Sequence, residues 1–310
     1  MKNILVIGGS YFAGKIFIEE LIKRKEYLIY ALNRGNRPLD MDGVKEIVCD
    51  RQNPGQLKSS IPTVEWDAVI DFCAYTPDDI KILFSALAGH SVKHYVYIST
   101  TSVYKETMAL PVKEEAPMLE GPQPELGPSY ADYAYNKLIG EREVIELSGK
   151  TGIPYTFLRP AIIYGKYNYA PRESYFFNLI LQGKTVVLPA NRLALFSFVS
   201  VWDVARAIIE CIGNEKTCNR AFNLAAGELV SYYRLIEVLR DITGEMIATK
   251  AMSVKEIDQR RIPLPFPLDS HLVYSGTLIK DVLNFEYTPF IEGMKKTYEC
   301  YTEGLKSMHE

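Results

Sequence analysis

The stretch Ile4-Leu5-Val6-Ile7-Gly8-Gly9-Ser10-Tyr11-Phe12-Ala13-Gly14-Lys15 decides the fold. Its short apolar run predicts a buried strand, and after the glycines the apolar residues take on helical spacing. Glycines between the two elements permit a tight turn and let a pyrophosphate approach the helix, whose free N–H groups and dipole favour anions. The stretch therefore predicts a dinucleotide site formed by Gly8, Gly9, Ser10, Tyr11, Phe12 and Gly14, with an ordinary glycine-rich turn as the alternative.

The same loop matches a phosphate-binding P-loop up to its last position. Gly9, four further residues, Gly14 and Lys15 fit that motif. The next position should be Ser or Thr to hold Mg²⁺, but it is Ile16, which cannot ligate a metal. Asp71, after another apolar run, is the acid that could act as a second magnesium ligand. A P-loop phosphotransferase is therefore the weaker hypothesis.

Strand and helix patterns alternate along the first half of the chain. Apolar runs predict strands at 28–32, 47–49, 68–72, 95–99 and 155–158, and helices are predicted from Phe12, at 77–87 and at about 130–147. This alternation predicts βαβ units and an α/β fold with a Rossmann-type, doubly wound parallel sheet. Residues 105–129 contain five prolines and two glycines, which predicts a long loop of functional importance.

The second half is less regular and predicts a smaller, mixed cap. Helices are expected near 173–182, 201–212, 231–243 and 290–306, with short strands at 185–188 and 221–225. We expect residues 1–165 to form a nucleotide-binding domain, to which segments near 197–226 return. Residues 166–310 would mainly form a cap that binds the substrate.

Composition narrows the class of protein. The 310 residues include 35 basic and 38 acidic side chains, a formal charge of −3, and 47% are hydrophobic. This balance excludes a disordered chain and disfavours a nucleic-acid binder that relies on phosphate neutralisation. Five scattered cysteines without a CxxC pair predict reduced thiols and a cytoplasmic protein. No apolar run reaches the ~18 residues of a membrane span, and the four histidines show no zinc spacing, so neither a span nor a metal site is expected.

The end of the second predicted strand bears on which dinucleotide is bound. It reads Asn33-Arg34-Gly35-Asn36-Arg37, with no acid before Asp40. A carboxylate here would bind the ribose hydroxyls of NAD, whereas an Arg accommodates the 2′-phosphate of NADP. Because a guanidinium grips phosphate in a fork, Arg34 favours NADP, with NAD as the alternative.

Tyr133 and Lys137 are candidates for proton transfer. Four residues apart in a predicted helix, they share one helix face, and a nearby ammonium would lower the pKa of the Tyr133 phenol. The spacing alone is weak evidence, because Tyr11 and Lys15 share it. It gains support from four consecutive hydroxyl residues, Ser99 to Ser102, at the carboxyl end of a predicted strand, where ligands of open α/β sheets bind.

With these motifs in order, the chain resembles the extended short-chain dehydrogenase/reductases, the NAD(P)-dependent epimerase/dehydratase group. Further segments similar to that family are Leu158-Arg159-Pro160-Ala161-Ile162-Ile163-Tyr164-Gly165, Phe198 to Ala207 and Ala221 to Ala225. The resemblance implies that Thr100, Tyr133 and Lys137 are the catalytic triad. Tyr133 would be the acid/base, Lys137 would orient the nicotinamide ribose, and Thr100 would hydrogen-bond the reacting oxygen.

The resemblance implies further contacts with the cofactor. Three of them are Asn33, Tyr133 and Lys137. Asp50 and Arg51 match the family's adenine-contacting acid and its neighbour, and Cys73 and Ala74 match the stretch after the fourth strand. The remaining implied cofactor contacts are Pro160 and Ile162.

Departures from the family pattern affect the expected reaction. Tyr11 replaces the loop's middle glycine. Thr101-Ser102 stands where sugar 4,6-dehydratases have an Asp-Glu pair, which argues against dehydration and makes both residues candidate substrate contacts. Phe196 stands where the family has an Arg that grips the diphosphate of a sugar nucleotide, so Arg172 or Arg192 would have to replace it.

The sequence therefore predicts an NAD(P)-dependent epimerase or reductase that acts on a hydroxyl or ketone of a sugar or sugar nucleotide. The alternative is a non-catalytic, cofactor-sensing or RNA-associated member of the same fold. The chain is short between the fourth and fifth strands, a region that contributes to dimer interfaces in the family. Whether it forms a homodimer therefore stays open.

Overall fold

The computed structural model describes residues 1–128 and 130–307 of the chain. The strands are β1 (Lys2–Ile7), β2 (Tyr27–Asn33), β3 (Val44–Val48), β4 (Ala68–Asp71), β5 (Tyr95–Ile98), β6 (Tyr155–Pro160), β7 (Ile162–Tyr164), β8 (Val186–Pro189), β9 (Phe196–Ser200), β10 (Arg220–Leu224), β11 (Leu229–Val230) and β12 (Thr249–Met252). The helices are α1 (Phe12–Ile22), α2 (Pro54–Ser60), α3 (Pro77–Ala86), α4 (Tyr133–Thr151), α5 (Glu173–Leu181), α6 (Val201–Cys211), α7 (Tyr232–Thr243), α8 (Val254–Gln259), α9 (Thr277–Leu283) and α10 (Phe290–Ser307).

Seven parallel strands form the central sheet, in the order β10-β6-β5-β4-β1-β2-β3. The chain runs outward from β1 to β3, then crosses over and continues from β4 in the other direction. This reversal between β1 and β4 creates a crevice at the carboxyl ends of the strands, where open α/β sheets bind ligands. The predicted Rossmann-type, doubly wound parallel sheet is confirmed.

The alternating directions of side chains in β1 explain why this strand is apolar throughout its second half. Ile4 and Val6 belong to the core on one face of the sheet, with residues of α1 and α6. Leu5 and Ile7 belong to the core on the other face, with residues of α2, α3 and α4. Helices on both faces leave no side of the strand exposed to water, as is usual for a parallel sheet.

The later part of the chain builds a further apolar core, here named the cap core. Two small sheets, β11-β9-β7 and β12-β8, lie there, and Phe196, Phe198, Tyr232 and Phe266 pack together in that core. Two elements return to the central sheet: β10 pairs with β6, and α6 packs against α1. The division into two domains at residue 165 stays a prediction.

The structure differs from the predicted elements mainly where elements are short. The strands β7, β9, β11 and β12 and the helices α2, α8 and α9 have two to seven residues each. Periodicity in such short runs is weak, and these strands exist because distant partners pair with them. The predicted loop is irregular apart from a 3₁₀ turn, Pro124–Leu126, although Ser129 lies outside the described residues. Among the helices described, none has the length and apolarity needed to cross a membrane.

Candidate active site at the carboxyl ends of the strands

The glycine loop between β1 and α1 leaves room that side chains would fill. Gly8 has a φ of +88°, and a Cβ there would lie 2.8 Å from the Cys73 sulfur. A Cβ on Gly14 would lie 2.5 Å from the Gly8 carbonyl oxygen. Tyr11, at the N-cap position of α1, makes no side-chain hydrogen bond to the first N–H groups of the helix. The loop therefore offers free backbone donors to an anion.

Tyr11, which replaces the family's middle glycine, has an extended backbone with a φ of −143°. That conformation suits any residue, so the replacement does not strain the turn. Its ring lies 5.0 Å from the ring of Tyr169, and the Arg37 guanidinium lies 4.2 Å from the Tyr11 ring centre. The Tyr11 side chain thus joins the glycine loop to the segment after β7.

The end of β2 is held by hydrogen bonds around Asn33. Its amide Nδ2 donates to Glu46 Oε1 at 2.7 Å, and its Oδ1 accepts from the N–H of Gly35 at 2.7 Å. Glu46, on β3, also accepts from the N–H of Leu39. An acid therefore does lie beside the end of β2, and it was missed because it comes from the neighbouring strand. Arg34 is exposed next to this turn.

Arg51 is buried in an ion pair with Asp71. Its Nη1 and Nη2 atoms donate to the two Asp71 oxygens at 2.7 and 3.0 Å, and Nη2 also donates to the Asp79 carbonyl at 2.9 Å. The Arg51 guanidinium lowers the pKa of Asp71 against the effect of burial. These bonds give the Arg51 side chain a structural role, and its predicted place beside the adenine stays a prediction. Asp50, by contrast, is exposed.

The same pair argues against the P-loop hypothesis. The Asp71 carboxylate also accepts from the Tyr95 hydroxyl at 2.9 Å and from the N–H groups of Cys73 and Ala74 at 3.0 Å. Ile16 is fully buried in the core. Neither residue is free to serve a magnesium ion, so the P-loop interpretation is wrong.

Lys137 is buried beneath the loop that follows β4. Its ammonium donates to the carbonyls of Ala74 at 2.9 Å and Ile98 at 2.6 Å, and lies 4.4 Å from the ring centre of Tyr97. Burial lowers the pKa of Lys137 to about 8. An ammonium has three donors, so one N–H remains for a ligand.

Thr100 and Tyr133 meet across the crevice. Thr100 Oγ1 accepts from the Ser102 N–H at 3.1 Å and donates to the Ser102 hydroxyl at 3.2 Å. Burial raises the pKa of Tyr133, although its residue is 40% exposed, while hydrogen bonding to Thr100 and the charge of Arg172 act to lower it. The prediction that Lys137 lowers this pKa is wrong here, because the Lys137 ammonium is turned towards two backbone carbonyls.

The candidate substrate residues separate into two groups. Arg172 lies close enough to Tyr133 to affect its pKa, and its Nη1 donates to the Ile163 carbonyl at 3.2 Å. Ser102 is exposed beside Thr100. Thr101, however, is only 4% exposed and its hydroxyl donates to the Pro160 carbonyl at 3.3 Å. This bond gives Thr101 a structural role, and its contact with a substrate stays a prediction. The Arg192 guanidinium lies over the ring of Tyr233 in the cap core, 4.2 Å away.

Pro160 and Ile162 lie at the end of β6 and the start of β7. Pro160 is buried and Ile162 is partly exposed, and Ile162 pairs with Phe198 of β9. The Thr101–Pro160 bond places Pro160 beside the Thr100 turn. The predicted contact of Pro160 and Ile162 with a cofactor stays a prediction.

The sequence interpretation missed a second buried ion pair. Arg159 on β6 donates from Nε and Nη2 to the Glu141 carboxylate at 2.9 and 2.5 Å, and from Nη1 to the Tyr104 hydroxyl at 2.8 Å. This pair fixes α4, which carries Tyr133, against β6. The sequence does indicate such a pair, because an Arg between apolar residues of a buried strand needs an acid as its partner.

Two surface depressions lie elsewhere on the molecule. They have volumes of about 530 and 520 Å³ and lie near Arg24 and Glu210 and near Lys2 and Asp67, away from the Thr100–Tyr133 crevice. Both depressions are shallow and have charged residues in their walls. We place the site at the crevice because the polar groups of Thr100, Tyr133 and Lys137 converge there. Over the described ranges, no group of three or more His, Cys, Asp or Glu could hold a metal ion.

Comparisons with known proteins agree with this architecture. The model of the NAD dependent epimerase/dehydratase family matches residues 4–225. The chloroplast stem-loop binding protein of 41 kDa b from Arabidopsis thaliana is 25% identical over 317 residues, which cover 96% of this chain and 78% of that protein.

Two solved structures show the same fold. UDP-glucose 4-epimerase from Thermotoga maritima, with UDP-glucose, has a TM-score of 0.79 at 20% identity, covering 98% of this chain and 99% of that one. UDP-glucuronic acid 4-epimerase from Bacillus cereus, with UDP-glucuronic acid and NAD, has a TM-score of 0.76 at 17% identity, covering 97% and 99%. The nucleotide in the latter complex is NAD, so the predicted preference for NADP gains no support from it.

Proposed function

The chain belongs to the NAD dependent epimerase/dehydratase family, and on that premise we propose that it oxidises and reduces a hydroxyl or ketone of a sugar or sugar nucleotide with a nicotinamide dinucleotide. One observation carries the proposal: Thr100, Tyr133 and Lys137 converge at the carboxyl end of β5 beside the glycine loop. That is where the reversal of strand order creates a ligand crevice.

The residues present fit a dinucleotide. The N–H groups at the start of α1 would hold the pyrophosphate, and the missing side chains of Gly8 and Gly14 let it approach. The remaining N–H of Lys137 would bind a ribose hydroxyl, because its other two donors are fixed by Ala74 and Ile98. Cys73, whose sulfur faces Gly8, lines the space between these two points.

When bound, the nicotinamide supplies hydride transfer to or from a substrate carbon. Tyr133 moves the proton of the substrate oxygen, and the Thr100 hydroxyl hydrogen-bonds the same oxygen. Burial raises the pKa of Tyr133, so the phenol is protonated at neutral pH and ready to act as an acid. The charge of Arg172 opposes that rise and would favour the phenolate when Tyr133 acts as the base.

Arg172 is the residue we assign to an anionic part of the substrate. It lies beside Tyr133, and within the described part of the chain its Nη1 donates to the Ile163 carbonyl while no hydrogen bond occupies its other nitrogens. Phe196 is 1% exposed in the cap core and cannot contact a ligand. Arg172 therefore takes over the contact that the family makes from position 196. The family-typical substrates, sugar nucleotides of the kind bound by the relatives above, remain the first to test.

Epimerase and reductase chemistry use the same three residues, and the nucleotide retained by the protein distinguishes them. The experiment is to denature the purified protein, identify any nucleotide released, and then incubate the native protein with UDP-sugars. Retained NAD⁺ with interconversion of epimers supports a recycling epimerase. Net oxidation of added NADPH supports a reductase. A protein that neither binds a nicotinamide dinucleotide nor converts any of these sugars would contradict the proposal.

A second candidate function is RNA association without catalysis. The observation that favours it is the match to a chloroplast stem-loop binding protein over 96% of this chain. The net charge of −3 and the retained Thr100, Tyr133 and Lys137 speak against it. Binding of a stem-loop RNA at about 0.15 M salt, where electrostatic screening is physiological, would favour this candidate.

A further inference from the structure

The segment Lys166–Tyr169, which follows β7 and is here named the strap, crosses the start of α1. The Tyr167 hydroxyl donates to Glu19 Oε1 at 2.8 Å, and the Lys166 ammonium lies 3.7 Å from Glu19 Oε2. The Lys15 ammonium lies 4.5 Å from the centre of the Tyr167 ring. These contacts attach one end of the strap to the second and third turns of α1.

The other end of the strap reaches the glycine loop. The ring of Tyr169 lies 5.0 Å from that of Tyr11 at an interplanar angle of 29°, and 6.0 Å edge-on from that of Phe12. Both partners belong to the turn whose backbone N–H groups are open to an anion. Tyr169 therefore lies over the place assigned above to the pyrophosphate.

Tyr169 also faces the reacting end of the crevice. Its hydroxyl is close enough to raise the pKa of both Tyr133 and Tyr75. Tyr75 follows Ala74, whose carbonyl binds Lys137, and its ring centre lies 5.5 Å from the Lys137 ammonium. One residue of the strap thus extends from the glycine loop to the Tyr133–Lys137 region, over the two points where the dinucleotide would be held.

We propose that the strap closes over the bound dinucleotide and that Tyr169 must separate from Tyr11 before the dinucleotide can enter or leave. This inference rests on the proposed function, since it assigns Tyr169 a positioning role towards the same ligand. Tyr169 is held by its ring contacts with Tyr11 and Phe12, while Asn168 donates from Nδ2 to the buried Glu173 carboxylate at 3.0 and 3.1 Å. Opening therefore moves Tyr169 away from the two rings and leaves Asn168 bound, which costs little and does not unfold the cap. Only the closed strap connects the glycine loop with the Tyr133–Lys137 region.

The sequence departure at position 11 adds a stacked ring contact to the closed strap. A glycine at the loop's middle position would offer Tyr169 no stacking partner, and the strap's described contacts with α1 would then be those with Phe12, Lys15 and Glu19. With Tyr11 present, the stacked rings join the cap segment to the glycine loop. The release rate of the dinucleotide should therefore depend on this pair of rings.

The test measures dissociation of NADH and NADPH from the full-length protein by stopped-flow fluorescence, with excess NAD⁺ or NADP⁺ as the chase. Weakening the closed state raises the open population, and with it the release rate, by the same factor. Tyr169→Ala should speed release about threefold to tenfold, the range an aromatic pair supports. Tyr169→Phe, which keeps the ring, should release at the wild-type rate.

Tyr11→Ala should speed release as Tyr169→Ala does, and the double variant should add little to either, because each single variant already removes the Tyr11–Tyr169 ring contact. Tyr301→Ala is the matched control: it also loses a ring contact, 5.3 Å to Phe177, but on α10 away from the glycine loop, and its release rate should not change. A wild-type protein that binds neither dinucleotide would overturn the proposed function together with this inference. Binding by the wild type with unchanged release from Tyr169→Ala would overturn the strap alone.

Discussion

The Arg51 guanidinium and the Asp71 carboxylate face each other through two parallel hydrogen bonds of 2.7 and 3.0 Å beneath the carboxyl end of β4. Asp71 is fully buried, and its remaining lone pairs accept from the N–H groups of Cys73 and Ala74. The Ala74 carbonyl in turn binds Lys137. The pair therefore determines the path of the loop that positions the Lys137 ammonium.

Replacing Arg51 by Met should destabilise the protein strongly. The change leaves the Asp71 charge buried without its partner, which costs about 3–5 kcal/mol of unfolding free energy. Urea denaturation at neutral pH measures the loss. Arg34→Met, at an exposed site, is the control and should stay within about 0.5 kcal/mol of the wild type. Adding Asp71→Asn to Arg51→Met should recover part of the loss, and no recovery would contradict the stated cause.

Much of the fold follows from the sequence because its signals are local. The apolar run of β1, the change to helical spacing after Gly9 and the alternation of elements each depend on neighbours along the chain. The Arg51–Asp71 pair joins residues 20 positions apart, and the Glu46–Asn33 bond crosses from β3 to β2. No local sequence pattern indicates such pairs, so the sequence predicts neither the partner of Arg51 nor the position of Glu46 beside the end of β2.

In the candidate site, too, local motifs are predictable from the sequence and long-range contacts are not. The glycine loop and the positions of Tyr133 and Lys137 could be read from motifs, but the partners of Lys137 could not. Its ammonium was expected to act on Tyr133, whereas the structure turns it to the carbonyls of Ala74 and Ile98. The strap escaped notice because its meaning depends on α1, about 150 residues earlier in the chain.

Two Gly→Ala changes in helices should have opposite effects. At Gly14 the new Cβ would meet the Gly8 carbonyl at 2.5 Å, which forces the loop to shift and should cost about 1–3 kcal/mol. At Gly149, in α4, a Cβ meets nothing within 4 Å and should add about 0.5–1 kcal/mol. Gly14→Ala should also abolish NADH binding, measured by fluorescence titration, while Gly149→Ala keeps it. Equal effects at both positions would exclude the close approach at Gly14 as the cause.

Buried Lys137 should make stability depend on pH in the alkaline range. Its pKa falls from 10.5 when exposed to about 8 in the folded protein, because burial disfavours the ammonium. Between pH 8 and pH 10.5 Lys137 is protonated in the unfolded chain but not in the folded protein. Burial of the Lys137 ammonium therefore lowers the free energy of unfolding fully below pH 8, and this loss disappears as the pH rises towards 10.5. The wild type should therefore gain up to about 3 kcal/mol relative to Lys137→Met over that window.

Urea denaturation of wild type and Lys137→Met at neutral pH and near the upper end of the window provides the measurement, and other titrating groups cancel in the difference. Lys184→Met, at an exposed site, controls for the loss of a lysine as such. A difference between wild type and Lys137→Met that does not change with pH would show that Lys137 is not desolvated.

Arg34 tests the choice between the two dinucleotides. If its guanidinium binds the 2′-phosphate, Arg34→Ala should weaken NADPH binding about tenfold or more, as expected for the loss of charge-assisted hydrogen bonds, and leave NADH binding unchanged. Calorimetric titration of both nucleotides measures this. Arg24→Ala, near the other end of α1, is the control. A wild type that prefers NADH, combined with loss of that preference in Glu46→Gln, would instead assign the ribose contact to Glu46.

Tyr133→Phe should separate binding from chemistry. Removing the hydroxyl removes the proton carrier, so kcat should fall by about 10²–10⁴ while the affinity for the dinucleotide is retained. Tyr130→Phe, in the exposed loop before α4, should keep full activity. Because burial raises the pKa of Tyr133, wild-type oxidation should speed up with rising pH as the phenolate forms, whereas reduction, which needs the phenol, should not. If Tyr133→Phe retained full turnover with the same pH profile, proton transfer would have to be assigned to another group.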